Sequence, residues 1–272
     1  MVGMSNLATA WVRMAIDEVS QHSTLVARVA LDRKIRSFLP QSWEMRLIEN
    51  LPPGRLAVDV GAHIGMMSRL LANRFDLVVA VEPNPSCLSR LRRTMPSNVI
   101  VVGTAAGETA GWAELRVPVQ NGRAVAALGT LVGSGRQSAV TQSRRVAVLR
   151  VSDMVSEPVD FLKIDVEGFE PEVLAGAEHI LANRPIVLLE AEERHRAGVC
   201  ATAGQRLATH DLEGMFVLNG RVCGFDEFDP DRHQPKATVP GGGKPPGYVT
   251  NFLFVPSEDA STWRKRLSGI IS

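Results

Sequence analysis

The stretch VDVGAHIG sets an acid, Asp59, and two glycines, Gly61 and Gly65, at the end of an apolar run. Ahead of them, RLAVDV has the continuous hydrophobic look of a buried parallel strand; after them, MMSRLLANRF carries helical spacing. A strand, a glycine turn and a helix make a corner where a cofactor can sit. Glu82 closes the next apolar run, in VVAVEPNP. Further acids follow two later runs: Asp165 and Glu167 after FLKI, Glu190 and Glu192 after PIVLL, with His195 close behind. Carboxylates and an imidazole can relieve a hydroxyl of its proton, and carboxylates can hold a divalent cation.

The glycine spacing narrows the cofactor. Gly61 and Gly65 enclose Ala62, His63 and Ile64, so the second glycine of G-x-G-x-x-G is missing, and no Walker lysine follows. Pyrophosphate and triphosphate ligands, and with them a nicotinamide-dependent oxidoreductase, are disfavoured. A ligand with a ribose and an amino-acid tail but no phosphate fits better. Asp59 at the strand end can receive an ammonium, directly or through water, and the glycine turn leaves room for the chain. Glu82 can accept from both ribose hydroxyls. Thr104 and Ala105, after the third run, are placed near an adenine. S-adenosylmethionine has these groups.

The motifs VDVGAHIG, VVAVEPNP, FLKIDVEGFEPEVLAGA and NFLFVP together resemble the FkbM family of S-adenosylmethionine-dependent methyltransferases. The resemblance spans roughly residues 44 to 255, and KIDVEGFE is its most specific element. It implies a class I methyltransferase fold and methylation of a hydroxyl on a sugar, polyketide or related natural product, a small or glycosylated acceptor. Two positions depart from the family pattern: His63 stands where Asn is common, and Ser152 where an acid is common.

Methyl transfer from a sulfonium is an in-line displacement, so an acceptor hydroxyl must be aligned and deprotonated. In an open parallel sheet, ligands collect at the carboxyl ends of the strands, which favours Asp165 as reaction centre with Glu190 or His195 assisting. Crowded acids would raise one another's pKa and make one of them a better base; a bound magnesium or manganese ion would instead keep all of them ionised. The metal-assisted version is therefore a rival, although no metal-binding motif is present. Lys163, inside an apolar strand, is expected to pair with an acid. Glu167 also suits the approach to the next helix, His179 reads as structural, and His233 as a solvated loop residue.

The elements that must hold these residues alternate: strand-like and helix-like segments from residue 55 to 106, and again from 159 to 256, predict a doubly wound, mostly parallel sheet. Residues 111–151 interrupt the rhythm and read as a β insertion built from WAELRVPV, AALGTLVG and RRVAVLRV. One helix is expected in EPEVLAGAEHILA, with Pro171 in its first turn, and another in AGQRLATHDLEGM. The closing helix, SEDASTWRKRL, is expected to be capped by Ser257. Residues 225–247, rich in Pro and Gly, read as a mobile surface loop, with its PGGGKPPG stretch a candidate lid. Residues 1–50 read as a helical extension, a possible surface for homo-oligomerisation or for a scaffold role, and residues 51–272 as the main domain.

The chain of 272 residues, 45% hydrophobic, can fill a substantial core, and 30 basic against 29 acidic residues leave no global field to steer it to nucleic acid or anionic membranes. Few aromatic residues, 5%, also disfavour stacking on nucleic-acid bases. Cys87, Cys200 and Cys223 lack disulfide or zinc spacing, and no apolar run reaches membrane-spanning length, so a cytoplasmic location is expected.

Overall fold

The computed structural model describes residues 42–120, 123–124, 130–131, 141–236 and 244–271. The chain divides into two compact units, Met1–Ser42 and Trp43–Ser272. The helical segments expected before residue 42, and any partner surface on them, lie outside the described residues.

The second unit opens with α1 (Trp43–Glu49), followed by β1 (Gly54–Val60), α2 (Met66–Leu71), β2 (Phe75–Val81), α3 (Pro85–Thr94) and β3 (Val99–Val102). Leu56 to Val60 and Val78 to Val81 are all buried, which is why both runs read as continuously apolar rather than alternating. After the insertion come α4 (Val151–Met154), β8 (Phe161–Ile164), α5 (Glu170–Ala175), α6 (Glu178–Leu181), β9 (Ile186–Glu190) and α7 (Val199–Ala208). The hairpin β10 (Leu212–Leu218) and β11 (Arg221–Gly224), α8 (Pro230–His233), β12 (Asn251–Pro256) and α9 (Ala260–Ile271) complete the unit. The sheet order is β11-β10-β12-β9-β8-β1-β2-β3. β3, β2, β1, β8 and β9 are parallel, and β12 runs antiparallel between β9 and β10. One face of the sheet packs with α1, α2 and α9, the other with α5, α6 and α7, giving two hydrophobic layers.

Register positions the chemistry. Val60 pairs with Val81 on one side and Ile164 on the other, and Ile164 pairs with Leu189. Gly61, Glu82, Asp165 and Glu190, each one residue further along, therefore stand at the same level at the carboxyl edge of the sheet. Asp59 pairs in register with Lys163, which brings those two side chains to one face of neighbouring strands.

The insertion is a separate small sheet of order β4-β7-β5-β6, with β4 at Ala105–Ala106, β5 at Gly111–Gln120, β6 at Arg123–Ala124 and β7 at Thr141–Leu149. β5 and β7 pair antiparallel from Gly111 opposite Val148 to Pro118 opposite Thr141. Leu115, Val117, Val146 and Val148 pack with Ala105 on its inner face. Of the strand expected in AALGTLVG, most lies outside the described residues; Thr130 bridges Arg116.

Several expectations are corrected. The helix read over AGQRLATHDLEGM ends at Ala208, because Asp211 at φ 56° turns the chain into β10. The helix over EPEVLAGAEHILA splits into α5 and α6 around Gly176, whose backbone packs so tightly on the Gly107 carbonyl that a Cβ would overlap it. Ser257 caps nothing: its hydroxyl and amide both donate to the Asp211 carbonyl, at 2.8 and 2.9 Å, and α9 begins three residues later. His233 is not solvated. It is 4% exposed, its Nδ1 accepts from the Asp229 amide at 3.0 Å, and its ring stacks on Phe228. The described parts of 225–247 are accordingly anchored, and Gln234 ties them to the sheet by donating to the carbonyls of Ala191 and Val249. Among the described residues, no helix is long and apolar enough to cross a membrane.

Candidate active site

The chain leaves β1 outward to β2 and β3, then returns to lay β8 on the other side of β1. At such a switch point the crossovers depart to opposite faces and a crevice opens beyond the strand ends. A cleft of about 260 Å³ lies there. Its sheet side is Val60, Gly61, Glu82, Asp165 and Glu190, and Thr104 to Ala106 form one flank. Leu115 and Leu131 from the insertion, with Phe169, supply an apolar wall.

At one end, Gly61 takes φ 83° and sits so close to the Asp165 carbonyl that any Cβ would overlap it, so this turn demands glycine. Gly65 takes φ 85° at the start of α2 and does not reach the cleft. Glu82, 6% exposed, accepts the His63 amide on Oε2 at 2.8 Å and the Asn84 amide on Oε1 at 2.7 Å. Burial raises its pKa while the two amide bonds hold it down. Each carboxylate oxygen keeps a second lone pair for a ligand donor. His63 stands at φ 51°, and burial lowers its pKa, which favours a neutral imidazole. The Thr104 hydroxyl is buried with no hydrogen-bond partner among the described residues.

Asp59 does not meet the cleft. It is fully buried, accepts from the Ser68 hydroxyl at 2.5 Å, and lies 3.7 Å from Lys163 Nζ. A direct salt link from Asp59 to a ligand ammonium is thus replaced by one to the chain's own ammonium. Lys163, 5% exposed, also reaches Asp165 at 3.1 Å. Burial alone would discharge it; Asp165, Asp59 and Glu190 reverse this and hold its pKa above the usual lysine range.

At the other end, Asp165, Glu167 and Glu190 share the cleft wall. Burial, and then the Asp165 charge, push Glu190 up to about 8. His195 lies outside the cleft lining, with Nδ1 2.9 Å from Glu167 Oε2. It touches the cleft wall through Glu167, which stands at φ 56° and whose carbonyl accepts the Thr130 hydroxyl at 2.8 Å. Among the described residues, no group of three or more His, Cys, Asp and Glu side chains is arranged to hold a metal ion.

Residues 59–227 match the family described as the Methyltransferase FkbM domain, well over half of the chain. The chain belongs to the FkbM methyltransferase family. Its mostly parallel sheet, with antiparallel β12, is a class I, Rossmann-like methyltransferase architecture, and its family depends on S-adenosylmethionine. Among solved structures, the FkbM domain is similar to the methyltransferase FkbM of Methylobacillus flagellatus KT, at 19% identity and a TM-score of 0.47. That match covers 75% of this chain but 45% of the other, so this chain spans less than half of the Methylobacillus protein. It is also similar to precorrin-6y C5,15-methyltransferase of Geobacter metallireducens GS-15, at 11% identity and a TM-score of 0.41, covering 82% and 87% of the two chains. A Streptococcus mutans protein in complex with SAH matches at 10% identity and 0.42, covering 80% and 99%. No curated protein matches in sequence.

The FkbM domain's residues fit the family's cofactor on two structural grounds: Glu82, with spare lone pairs on both carboxylate oxygens, and Thr104, with an orphaned buried hydroxyl, both line the cleft. Glu82→Ala is expected to weaken S-adenosylmethionine binding by about 1–3 kcal/mol in calorimetric titration. Equal affinity in the folded variant would remove Glu82 from the cofactor site.

The sequence offered no signal for Leu115, Leu131 or Phe169 as cleft residues, because an apolar side chain facing a ligand looks the same as one facing a core. Glu170, just behind the cleft, was equally silent. It is 1% exposed, its Oε1 accepts the Gly168 amide at 2.9 Å, and burial pushes its pKa up to about 7. The folded state then binds a proton that the unfolded state releases at its ordinary, lower pKa. Its stabilising contribution is complete below the unfolded value and is lost as pH rises through about 7. Glu170→Gln should remove about 3 kcal/mol of that pH dependence, read from urea midpoints at pH 5 and pH 8.

Proposed function

We propose that this FkbM domain transfers a methyl group from S-adenosylmethionine to a hydroxyl oxygen of a small or glycosylated acceptor. The observation that carries this reading is the position of Glu190, the last residue of β9, level with Asp165 and on the wall of a cleft whose other end carries Glu82. Glu82, Thr104 and the Gly61 turn hold the cofactor. When bound, the cofactor supplies an electrophilic methyl carbon on a sulfonium. Glu190 takes the proton of the acceptor's hydroxyl, which leaves its oxygen nucleophilic. A carboxylate with a raised proton affinity is the better acceptor of the two, because a base works best when its pKa lies near the operating pH. Asp165, paired with Lys163, orients the hydroxyl by accepting from the acceptor, and Leu115, Leu131 and Phe169 keep water from the cleft.

A metal-assisted route draws no support from the arrangement of charges: Lys163 already stands between Asp59 and Asp165 as a cation. The test is calorimetry of the metal-stripped protein with S-adenosylmethionine, S-adenosylhomocysteine and NAD, with and without magnesium, followed by an acceptor screen that detects S-adenosylhomocysteine. Selective binding of the two sulfur ligands and methylation of a hydroxyl bear the reading out. Failure of both sulfur ligands to bind the folded protein overturns it.

A further inference from the structure

The charge around Glu190 comes from three sides. Lys163 and Asp165 face it from β8 and its end, Glu192 from the segment after β9, and Lys244 from the segment leading into β12. Lys163 is already committed to Asp165 and Asp59. Lys244 is held differently. Its Nζ lies 3.0 Å from Glu192 Oε1, 3.9 Å from Glu190 Oε1 and 5.6 Å from the centre of the Tyr248 ring.

Its anchor is well built. Glu192 is 2% exposed and also accepts from Arg194 at 2.8 Å, so the carboxylate cannot follow a wandering lysine. The backbone that follows Lys244 is tied to the sheet, because Gln234 donates both to Ala191, between Glu190 and Glu192, and to Val249. The Val249 amide also donates to the His233 carbonyl at 3.0 Å. A surface lysine on an untethered loop contributes little to a neighbouring charge. Here the ammonium is pinned on a buried carboxylate next to the cleft, where a nearby charge acts strongly.

We propose that Lys244 is a positioning residue of the acceptor site: anchored on Glu192 and stacked over Tyr248, its ammonium opposes Asp165 and governs when Glu190 is free to take a proton. The proposal rests on the reading of Glu190 as proton acceptor. Lys244 favours the ionised carboxylate, Asp165 and burial favour the protonated one, and the balance selects the pH range in which the enzyme turns over.

The test is a titration of the full chain, carrying 13C at the glutamate carboxyl carbons, with the Glu190 resonance assigned by its loss in Glu190→Gln. Lys244→Met should raise the Glu190 midpoint by about one pH unit, and Lys244→Arg, which keeps the charge, should leave it near the wild-type value. The alkaline shift should reappear in the pH profile of kcat/KM. Lys244→Gln serves as a second charge-removing variant if the methionine variant does not fold. An unchanged midpoint in either folded variant overturns the proposal. The titration needs no acceptor, so the two ideas fail separately. An unmoved midpoint with Glu190→Gln inactive sinks the role of Lys244 alone, whereas full turnover by Glu190→Gln sinks the proton-acceptor reading and with it the purpose assigned to Lys244.

Discussion

Lys163→Met is expected to destabilise the protein by about 3–5 kcal/mol, a large share of the stability of an ordinary domain. Lys163 and Asp59 are 5% and 0% exposed. With the ammonium gone, Asp59 keeps, among the described residues, the Ser68 hydroxyl alone, and a charge sealed among β1, β2 and β8 has no water to turn to. The effect belongs to the broken pair rather than to lysine as such. Adding Asp59→Asn to Lys163→Met should therefore recover most of the loss, giving a strongly non-additive cycle in urea denaturation. Additive losses in the double variant would show that the two side chains do not depend on each other. The same substitution should disturb the cleft, since Asp165 would lose its 3.1 Å partner at the place where an acceptor is proposed to bind.

Glu190→Gln is expected to lower kcat by about 10²–10⁴-fold while leaving S-adenosylmethionine affinity close to that of the wild type. The glutamine keeps the size of the side chain and one acceptor oxygen but cannot take a proton. The wild-type pH profile supplies the second half of the prediction. Only the ionised carboxylate accepts a proton, and burial with the Asp165 charge pushes Glu190 up to about 8. Activity should therefore climb as pH rises through about 8 and fall about tenfold per unit well below it, and that limb should vanish in the residual activity of the variant. A flat profile between pH 6 and pH 9, or a fully active glutamine variant, would move the proton to another acceptor, with Asp165 the nearest candidate at the end of β8.

Legibility of the site followed the length scale of the interaction. The corner at Gly61, the acid at Glu82 and the acid at Asp165 were readable because each sits directly after an apolar run, and a run's end is a local property of the chain. The pairing of Lys163 with an acid was readable in kind, since an ammonium in an apolar strand must find a counter-charge. Its partners were not, because they depend on Asp59 and Lys163 sharing a register across two strands separated by a hundred residues of sequence. Asp59 shows the converse. Its position at a strand end suggested contact with a ligand, yet the pleat turns it into the sheet layer against Ser68. His195 was drawn toward the reaction centre by proximity in sequence to Glu190, and the fold instead set it behind Glu167.

By itself, then, the sequence determined the strand–turn–helix rhythm, the doubly wound sheet, the insertion, the family and the acids at the strand ends, since all of these follow from hydrophobic period, glycine placement and short motifs along the chain. Only the tertiary structure decided which acids share a cleft, that the insertion supplies its apolar wall through Leu115 and Leu131, and that Lys244 reaches Glu190 from a segment that composition marked as loose. Strand register and the packing of distant segments produce those contacts, and neither leaves a trace in the neighbouring residues of the chain.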